Sequence, residues 1–150
     1  GQDGREVEER IEELLDLWAL TAWRDELVET YSHGMRQKLV LASAFVHRPR
    51  VIVVDEPMVG LDPKAARTLK TLLREFVARG GTVLMSTHSL EIAEALCDRL
   101  AILQDGRVRA EGTLHELRAA AAAGDAPLEE IFLRLTGGEE LGELLDVLGE

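Results

Sequence analysis

The chain has 150 residues, of which 46% are apolar and 30% are charged. This length corresponds to one domain of ~100–200 residues, and this composition excludes wholesale disorder. No apolar run approaches the ~18 residues of a membrane-spanning helix. The single cysteine, Cys97, excludes an internal disulfide framework or a cysteine-based metal site, and its apolar helical surroundings predict a core thiol. The N-terminal residues lack the basic and apolar segments of an export signal, which favours a reducing, cytoplasmic setting.

Acidic charge is concentrated at the two ends of the chain. Residues 1–30 carry three basic and ten acidic side chains, and residues 125–150 carry one and eight. Residues 31–124 are mildly basic, with thirteen basic and ten acidic side chains. The total of −11 disfavours nucleic acid as a partner, because Lys and Arg supply most of the affinity for its phosphates. The basic middle is compatible with a small polyphosphate ligand.

Apolar periodicity and turn residues predict an alternation of helices and strands. In chain order we expect a helix over 5–20, a helix from Ser32 to about His47, a strand over 51–54, a helix that follows the N-cap Asp62 and ends before Gly80, a strand over 82–86, a helix over 90–97, strands over 99–104 and 107–111 joined by a tight turn, a helix from the capping box Thr113–Glu116 into the alanine tract 119–123, and helices over 128–135 and 139–148. Such an alternation is typical of a layered α/β sheet with at least partly parallel order.

Two segments are apolar without interruption. The run Leu39–Val46 predicts a helix that is buried on most sides. The β-branched run Val51–Val54 is typical of a parallel strand that is covered on both faces.

Asp55 and Glu56 follow this strand directly, and four apolar residues before Asp-Glu match the Walker B pattern. In that pattern the first carboxylate holds Mg²⁺ beside a nucleoside triphosphate and the second acts on the attacking water. An isolated match is equally compatible with carboxylates that face solvent.

The order of the neighbouring motifs separates these two interpretations. Together they resemble the nucleotide-binding domain of ABC transporters over residues 31–112, with a signature motif at Tyr31–Met35, Walker B at Val51–Glu56, a D-loop at Val59–Asp62 and a switch histidine at His88. A serine and a glycine at a helix N-terminus also leave backbone N–H groups available to an anion. By contrast, His47 and His115 have no partner at metal-ligand spacing, and we expect both to be structural or solvent-facing.

The resemblance implies a role for each matching residue. Asp55 would bind Mg²⁺, Glu56 would act on water, and His88 would sense the γ-phosphate. The remaining nucleotide-site residues, which would face the ATP of a second subunit or communicate with it, are Ser32, Gly34, Met35 and Asp62. ATP and Mg²⁺ are the implied cofactors, and a second ATP-binding subunit, as in a homodimer, and transmembrane permease subunits are the implied partners.

Two departures from the family pattern are visible. The usual signature is Leu-Ser-Gly-Gly-Gln, whereas Tyr31, His33 and Met35 stand at three of its five positions, a variant similar to bacterial ABC-2-type exporter ATPases. The phosphate-binding sequence Gly-x-x-x-x-Gly-Lys-Ser/Thr is absent from the chain. We therefore expect the P-loop NTPase-like layered sheet of the ABC ATPase type without its Walker A portion, as in a C-terminal fragment that is inactive alone.

The resemblance divides the chain into the end of a helical subdomain over 1–30, the ABC ATPase core over 31–112 and a C-terminal helical extension over 113–150. It implies the ATP-hydrolysing subunit of a bacterial ABC exporter, held at the inner face of the cell membrane by permease subunits. Two alternatives stay open, which are a soluble ABC ATPase without a transport role and a non-enzymatic interaction fragment. In ABC domains the strand that leads into the phosphate-binding loop lies between the two strands that resemble 82–87 and 99–104 here. Its absence would leave a gap in the sheet, and we expect this gap to favour rearrangement, self-association or low stability.

Overall fold

The computed structural model describes residues 4–137. Its helices and strands are α1 (Gly4–Leu17), α2 (His33–Val46), β1 (Val51–Asp55), α3 (Pro63–Ala78), β2 (Thr82–Ser86), α4 (Leu90–Leu96), β3 (Leu100–Gln104), β4 (Arg107–Gly112), α5 (Leu114–Ala120) and α6 (Leu128–Thr136), with short 3₁₀ turns at Thr21–Trp23 and Val28–Thr30. These elements confirm the predicted alternation to within a few residues. The helix predicted over 139–148 lies outside the described residues. Within residues 4–137, no helix has the length and apolar character needed to cross a membrane.

The chain divides into two compact units, Gly1–Thr87 and His88–Glu150. The functional division at residues 30 and 112 stays a prediction. In the first unit β1 and β2 pair in parallel, from Val51 opposite Thr82 to Asp55 opposite Ser86. This parallel pair places the carboxyl ends of both strands at one edge of the sheet.

The β1–β2 sheet has one covered face and one exposed face. Ile52 is 4% exposed, whereas Val53, the next residue of the strand, is 70% exposed and its partner Leu84 is 64% exposed. Because successive side chains of a strand point to opposite faces, the described residues cover only the face that carries Ile52. The prediction that this strand is covered on both faces is therefore wrong for the part of the chain that the structure describes.

Helices α1, α2 and α3 supply most of the core of the first unit. Its buried apolar residues include Leu14, Leu15, Trp18, Leu20, Leu41, Ala42, Phe45, Ala65, Leu69 and Leu73. The prediction for α2 overstates its burial, because Val40 is 62% exposed on the side that this core leaves open.

Helix α1 ends three residues earlier than predicted. Ala19 adopts a left-handed conformation (φ 53°) there, and the Leu20 N–H donates to the Leu15 carbonyl at 2.8 Å, as in a Schellman-type end.

The second unit contains the antiparallel pair β3–β4 and helices α4, α5 and α6. Asp105 and Gly106 both have positive φ, as a two-residue type I′ hairpin turn requires, and this confirms the predicted turn. The capping box of α5 is also confirmed, since the Glu116 N–H donates to Thr113 Oγ1 and the Thr113 N–H donates to Glu116 Oε2. Helix α5 stops at Ala120, before the end of the alanine tract.

The core of the second unit is small and apolar. Its buried members are Ala93, Ile102, Leu117, Leu128 and Ile131. Cys97 is half-buried, and burial, with a smaller contribution from Asp98, raises the pKa of its thiol.

Among the described residues the four strands form two separate two-stranded sheets, so no ladder joins β2 to β3. The predicted gap between these strands is therefore not closed by a rearranged strand pairing within the described chain.

The buried and exposed faces of β1 predict unequal losses of stability when a residue on each is replaced by threonine. Ile52→Thr should lower the free energy of unfolding by about 2–4 kcal/mol, because it removes buried apolar volume and buries a hydroxyl. Val53→Thr should change it by less than about 0.5 kcal/mol, since this side chain is solvated. Urea unfolding followed by the fluorescence of Trp18 and Trp23, which lie in the same unit, measures both. Equal losses for the two variants would show that the exposed face is covered.

Candidate functional site

Two carboxylates stand at the carboxyl edge of the β1–β2 sheet, each beside a hydroxyl of the neighbouring segment. Ser86 Oγ donates to Asp55 Oδ1, and Thr87 Oγ1 donates to Glu56 Oε2 at 3.1 Å. Asp55 is exposed and Glu56 is half-buried. The parallel register brings these groups together although 31 residues separate the members of each pair. The site therefore offers carboxylate oxygens to solvent at a fixed position.

The backbone turns sharply at Glu56. Its φ of +44° lies in the left-handed region, which costs a non-glycine residue roughly 1–2 kcal/mol. The surrounding bonds hold this conformation, since the Glu56 N–H donates to the Ser86 carbonyl at 3.0 Å and the Val59 N–H donates to the Glu56 carbonyl at 3.1 Å. Strained residues of this kind cluster at functional sites. Glu56 is therefore held in a left-handed turn directly after the end of β1.

The N-terminus of α2 is exposed at the signature segment. Ser32 is the N-cap, and its side chain accepts a hydrogen bond from the Met35 N–H at 3.2 Å. Tyr31, directly before it, is buried and donates its hydroxyl proton to the Trp23 carbonyl at 2.7 Å. Arg36 also donates to the Tyr31 carbonyl at 2.8 Å. The start of the helix is therefore anchored on its protein side while Ser32 stays open to solvent.

Two glycines allow this helix start to approach the loop that follows β1. A Cβ atom on Gly34 would lie 2.9 Å from the Gly60 carbonyl oxygen. A Cβ atom on Gly60 would lie 2.6 Å from the His33 ring, and Gly60 has a φ of +79°. Both distances are shorter than real Cβ contacts permit. The signature helix and the D-loop are therefore in backbone contact at Gly34, where a side chain would separate them, and a side chain at Gly60 would be strained and would displace the His33 ring.

An ion pair joins the same two segments. Lys38 Nζ lies 2.9 Å from Asp62 Oδ2, and Asp62 Oδ1 accepts the Ala65 N–H at 2.9 Å as the N-cap of α3. The hydrogen bond from Lys38, followed by that from Ala65, lowers the pKa of the Asp62 carboxyl. Pro63 at the first helical position has no N–H to leave unsatisfied. Asp62 thus ends the D-loop, begins α3 and binds α2 at once.

The predicted site residues fall into separate groups. Asp55 and Glu56 share the sheet edge with Ser86 and Thr87, whereas the helix start, which includes Ser32, Gly34 and Met35, shares its contacts with the D-loop up to Asp62. His88 is exposed and is the first residue of the second unit. His47 and His115 are exposed, as expected. Within residues 4–137 no group of three or more His, Cys, Asp or Glu side chains could hold a metal ion by itself.

The sequence alone assigned no role to three residues that contact the candidate site, which are Ser86, Thr87 and Lys38. Ser86 and Thr87 stand directly before His88, and their position at a strand end is a signal that could have identified them. Lys38 carries no such signal, because it is one of several basic residues and its partner is 24 positions away. Only the packing of α2 against the D-loop connects the two.

Lys38 should control the titration of Asp62. Lys38→Met should raise the Asp62 pKa toward its ordinary value of 3.8, whereas Lys38→Arg should keep it low because the cation remains. A lowered pKa in the folded state stabilises the fold above pH 3.8, and this stabilisation is lost as the pH falls through the lowered pKa. Carboxyl ¹³C chemical shifts followed with pH measure this directly. An Asp62 pKa unchanged by Lys38→Met would contradict the coupling of α2 to the D-loop.

Comparison with known proteins places the chain in a family. Residues 20–94 match the family model described as "AAA domain, putative AbiEii toxin, Type IV TA system". The ABC-type transporter ATP-binding protein EcsA of Bacillus subtilis is 45% identical over 106 residues, which cover 71% of this chain and 43% of that protein. The Nod factor export ATP-binding protein I of Rhizobium sp. (strain N33) is 43% identical, covering 78% and 38% respectively. The daunorubicin/doxorubicin resistance ATP-binding protein DrrA of Streptomyces peucetius is 41% identical, covering 80% and 36%.

A solved structure gives the same result for the fold. The structure of an ATP-binding subunit of an ABC transporter superposes with a TM-score of 0.86 at 38% identity, covering 91% of this chain and 57% of that one. The chain spans about two fifths of the length of these curated relatives. The expected α/β fold of the P-loop NTPase-like, ABC ATPase type is confirmed. The chain belongs to the AAA-domain family of the matching model, and its relatives within that fold are the ATP-binding proteins of ABC transporters.

Proposed function

We propose that this chain forms the Walker B, signature and D-loop part of an ATP-hydrolysing ABC subunit that drives export. The observation that carries the proposal is the pair of carboxylates, Asp55 and Glu56, fixed at the carboxyl edge of a parallel sheet by Ser86 and Thr87. Ligand sites of open α/β sheets lie outside the carboxyl ends of the strands. The adjacent D-loop, which follows Glu56, carries the contact with the signature helix.

Asp55 fits the Mg²⁺ ion of a nucleoside triphosphate. Mg²⁺ in such sites takes oxygen ligands from one or two carboxylates, from phosphates and from water. Asp55 is exposed at the sheet edge with one oxygen bonded to Ser86, so it can contribute a carboxylate while phosphates complete the set. When bound, the ion would neutralise charge on the phosphates during their transfer.

Glu56 is the group that acts on the attacking water. It follows Asp55 directly and is the first residue beyond β1, where the backbone is left-handed. The hydrogen bond from Thr87 holds one carboxylate oxygen in place, and an ionised carboxylate has further lone pairs that can accept from water. A positioned carboxylate of this kind orients water and accepts its proton. His88, which follows Thr87 directly, is the residue that we assign to the γ-phosphate, since imidazole can donate to a phosphate oxygen.

The start of α2 is the second half of the proposed site. The N–H groups of a first helical turn and the helix dipole favour an anion there, and Ser32 is open to solvent. Met35 belongs to this turn through its N–H bond to Ser32. We assign this surface to the γ-phosphate of ATP held by a second subunit, with Asp62 at the contact between the two subunits. The functional unit is then a homodimer.

The transport assignment rests on the relatives. Their names describe Nod factor export and daunorubicin/doxorubicin resistance. We infer export for this protein as well, with permease subunits as partners that hold it at the inner face of the cell membrane. The net charge of −11 supports a protein partner over a nucleic acid.

Glu56→Gln tests the proposed function. In a subunit in which this chain follows a phosphate-binding loop, this change should reduce ATP turnover by a factor of ~10² or more, within the ~10²–10⁴ expected for a general base, while ATP still binds. Glu91→Gln, an exposed glutamate on α4, is the matched control and should keep the wild-type rate. Phosphate release and equilibrium binding of a fluorescent ATP analogue measure the two effects.

Near-normal hydrolysis by Glu56→Gln would remove Glu56 from the mechanism. Loss of ATP binding together with hydrolysis would instead make Glu56 part of the binding site rather than the group that acts on water. Either result would overturn the assignment of Glu56 as the residue that orients and deprotonates water.

The 150-residue chain alone should not bind MgATP at the Asp55 edge. The phosphate-binding loop is absent from the sequence, and two carboxylates by themselves repel a polyanion. Backbone amide chemical shifts of Glu56 and Thr87 should stay unchanged when MgATP is added at millimolar concentration. Saturable shifts at these amides in the micromolar range would contradict the expectation, because the chain would then supply its own phosphate site.

A further inference from the structure

A concave surface lies at the other end of the β1–β2 sheet, away from Asp55. It has a volume of about 380 Å³ and is lined by the residues that lead into the two strands, namely Arg50 before β1 and Gly80–Gly81 before β2. Arg10 in the middle of α1 and residues at the C-terminal ends of α2 and α3 complete the lining. Four of the lining residues are arginines, Arg10, Arg48, Arg50 and Arg79. We call this surface the arginine pocket.

The positive charge of the arginine pocket is only partly compensated. Arg10 pairs with Glu13 at 3.4 Å and Arg79 pairs with Glu75 at 3.6 Å. Arg48 and Arg50 make no ion pair with any described residue, and no carboxylate is among the residues that line the pocket. Arg10 Nε is also shielded from solvent without a hydrogen-bond acceptor in the described part of the chain. The two arginines without an ion pair, Arg48 and Arg50, therefore line the same concave surface.

A packed aromatic pair lies beside these arginines. Phe45, at the end of α2, is 3% exposed and packs edge to face on Phe76 of α3, with ring centroids 5.6 Å apart. Gly81 lies directly on the Phe76 ring, because a Cβ atom there would be 2.4 Å from the ring. The aromatic pair thus fixes the spacing between the α2 end, which carries Arg48, and the α3 end, which carries Arg79.

We propose that the arginine pocket binds a phosphate-bearing anion at a site separate from the ATP site. Guanidinium groups bind phosphate through two parallel N–H···O bonds, and several of them around one concavity suit a multiply charged anion. The pocket holds this cluster in a chain whose net charge is −11, so general attraction of anions to the molecule does not account for binding there. The same net charge favours a soluble phosphate over the phosphate headgroup of an anionic membrane.

Pyrophosphate is the probe for this proposal. Titrated into the full 150-residue chain, it should shift the backbone amides of Arg50, Gly80 and Gly81 with a saturable dependence, and leave those of Glu56 and Thr87 unchanged. The double variant Arg48→Gln/Arg50→Gln should weaken binding by about tenfold or more, since tenfold corresponds to about 1.4 kcal/mol. The matched control Arg67→Gln/Arg107→Gln removes two exposed arginines elsewhere and should bind as the wild type does.

A second arm distinguishes the source of the phosphate. Phosphatidylcholine vesicles with and without phosphatidylglycerol are sedimented with the same variants. The pocket would be assigned to a lipid headgroup if the wild type sediments only with the vesicles that contain phosphatidylglycerol and Arg48→Gln/Arg50→Gln does not sediment with them. The charge-conserving variant Arg48→Lys/Arg50→Lys should retain part of the binding in the experiment in which the wild type binds. This variant separates loss of charge from loss of folding.

Two results would overturn the proposal. One is the absence of pocket shifts with pyrophosphate and of selective sedimentation. The other is equal weakening by the pocket variant and the control variant, which would show diffuse attraction. Neither result bears on ATP hydrolysis, because the probe and the reporting amides do not involve Asp55 or Glu56.

Discussion

The backbone contact between Gly34 and Gly60 is the constraint that positions the start of α2 against the D-loop. It brings the signature helix and the D-loop closer together than a side chain at Gly34 would allow. The Lys38–Asp62 ion pair then holds the same two segments, and Asp62 also begins α3. Through these contacts the exposed Ser32 at the helix start has a fixed position relative to the loop that follows the two carboxylates.

The parallel sheet of the first unit separates charge between its two edges. At the carboxyl edge β1 ends at Asp55, with Glu56 next in the chain, and the hydroxyls of Ser86 and Thr87 hold both carboxylates. At the amino edge β1 begins after Arg50, in the arginine pocket. A nucleotide can approach the carboxylate edge only together with a cation, because the carboxylates repel its phosphates. The arginines at the other edge attract an anion directly. One small sheet therefore presents two chemically different surfaces.

Local features of this fold could be predicted from the sequence, because a few adjacent residues determine them. The Asp62–Pro63 helix start, the Asp105–Gly106 turn and the Thr113 capping box are examples. Features that join distant segments could not. The exposure of Val53 depends on which elements cover the sheet, since the β-branched run Val51–Val54 gives no indication of it. The Lys38–Asp62 pair depends on how α2 packs against the D-loop, and no spacing rule connects the two residues.

We propose that the start of α2 serves ATP held by a second subunit. Ser32→Asp tests it most directly, because aspartate keeps the N-cap but adds a negative charge where the phosphate would lie. In a subunit that also carries a phosphate-binding loop and Glu56→Gln, analytical ultracentrifugation with MgATP should show dimers, which Ser32→Asp should abolish while ATP binding to the monomer persists. The control Ser43→Asp, which adds the same charge at an exposed position farther along α2, should leave the dimer intact. Undiminished dimerisation of the Ser32→Asp variant would contradict the claim.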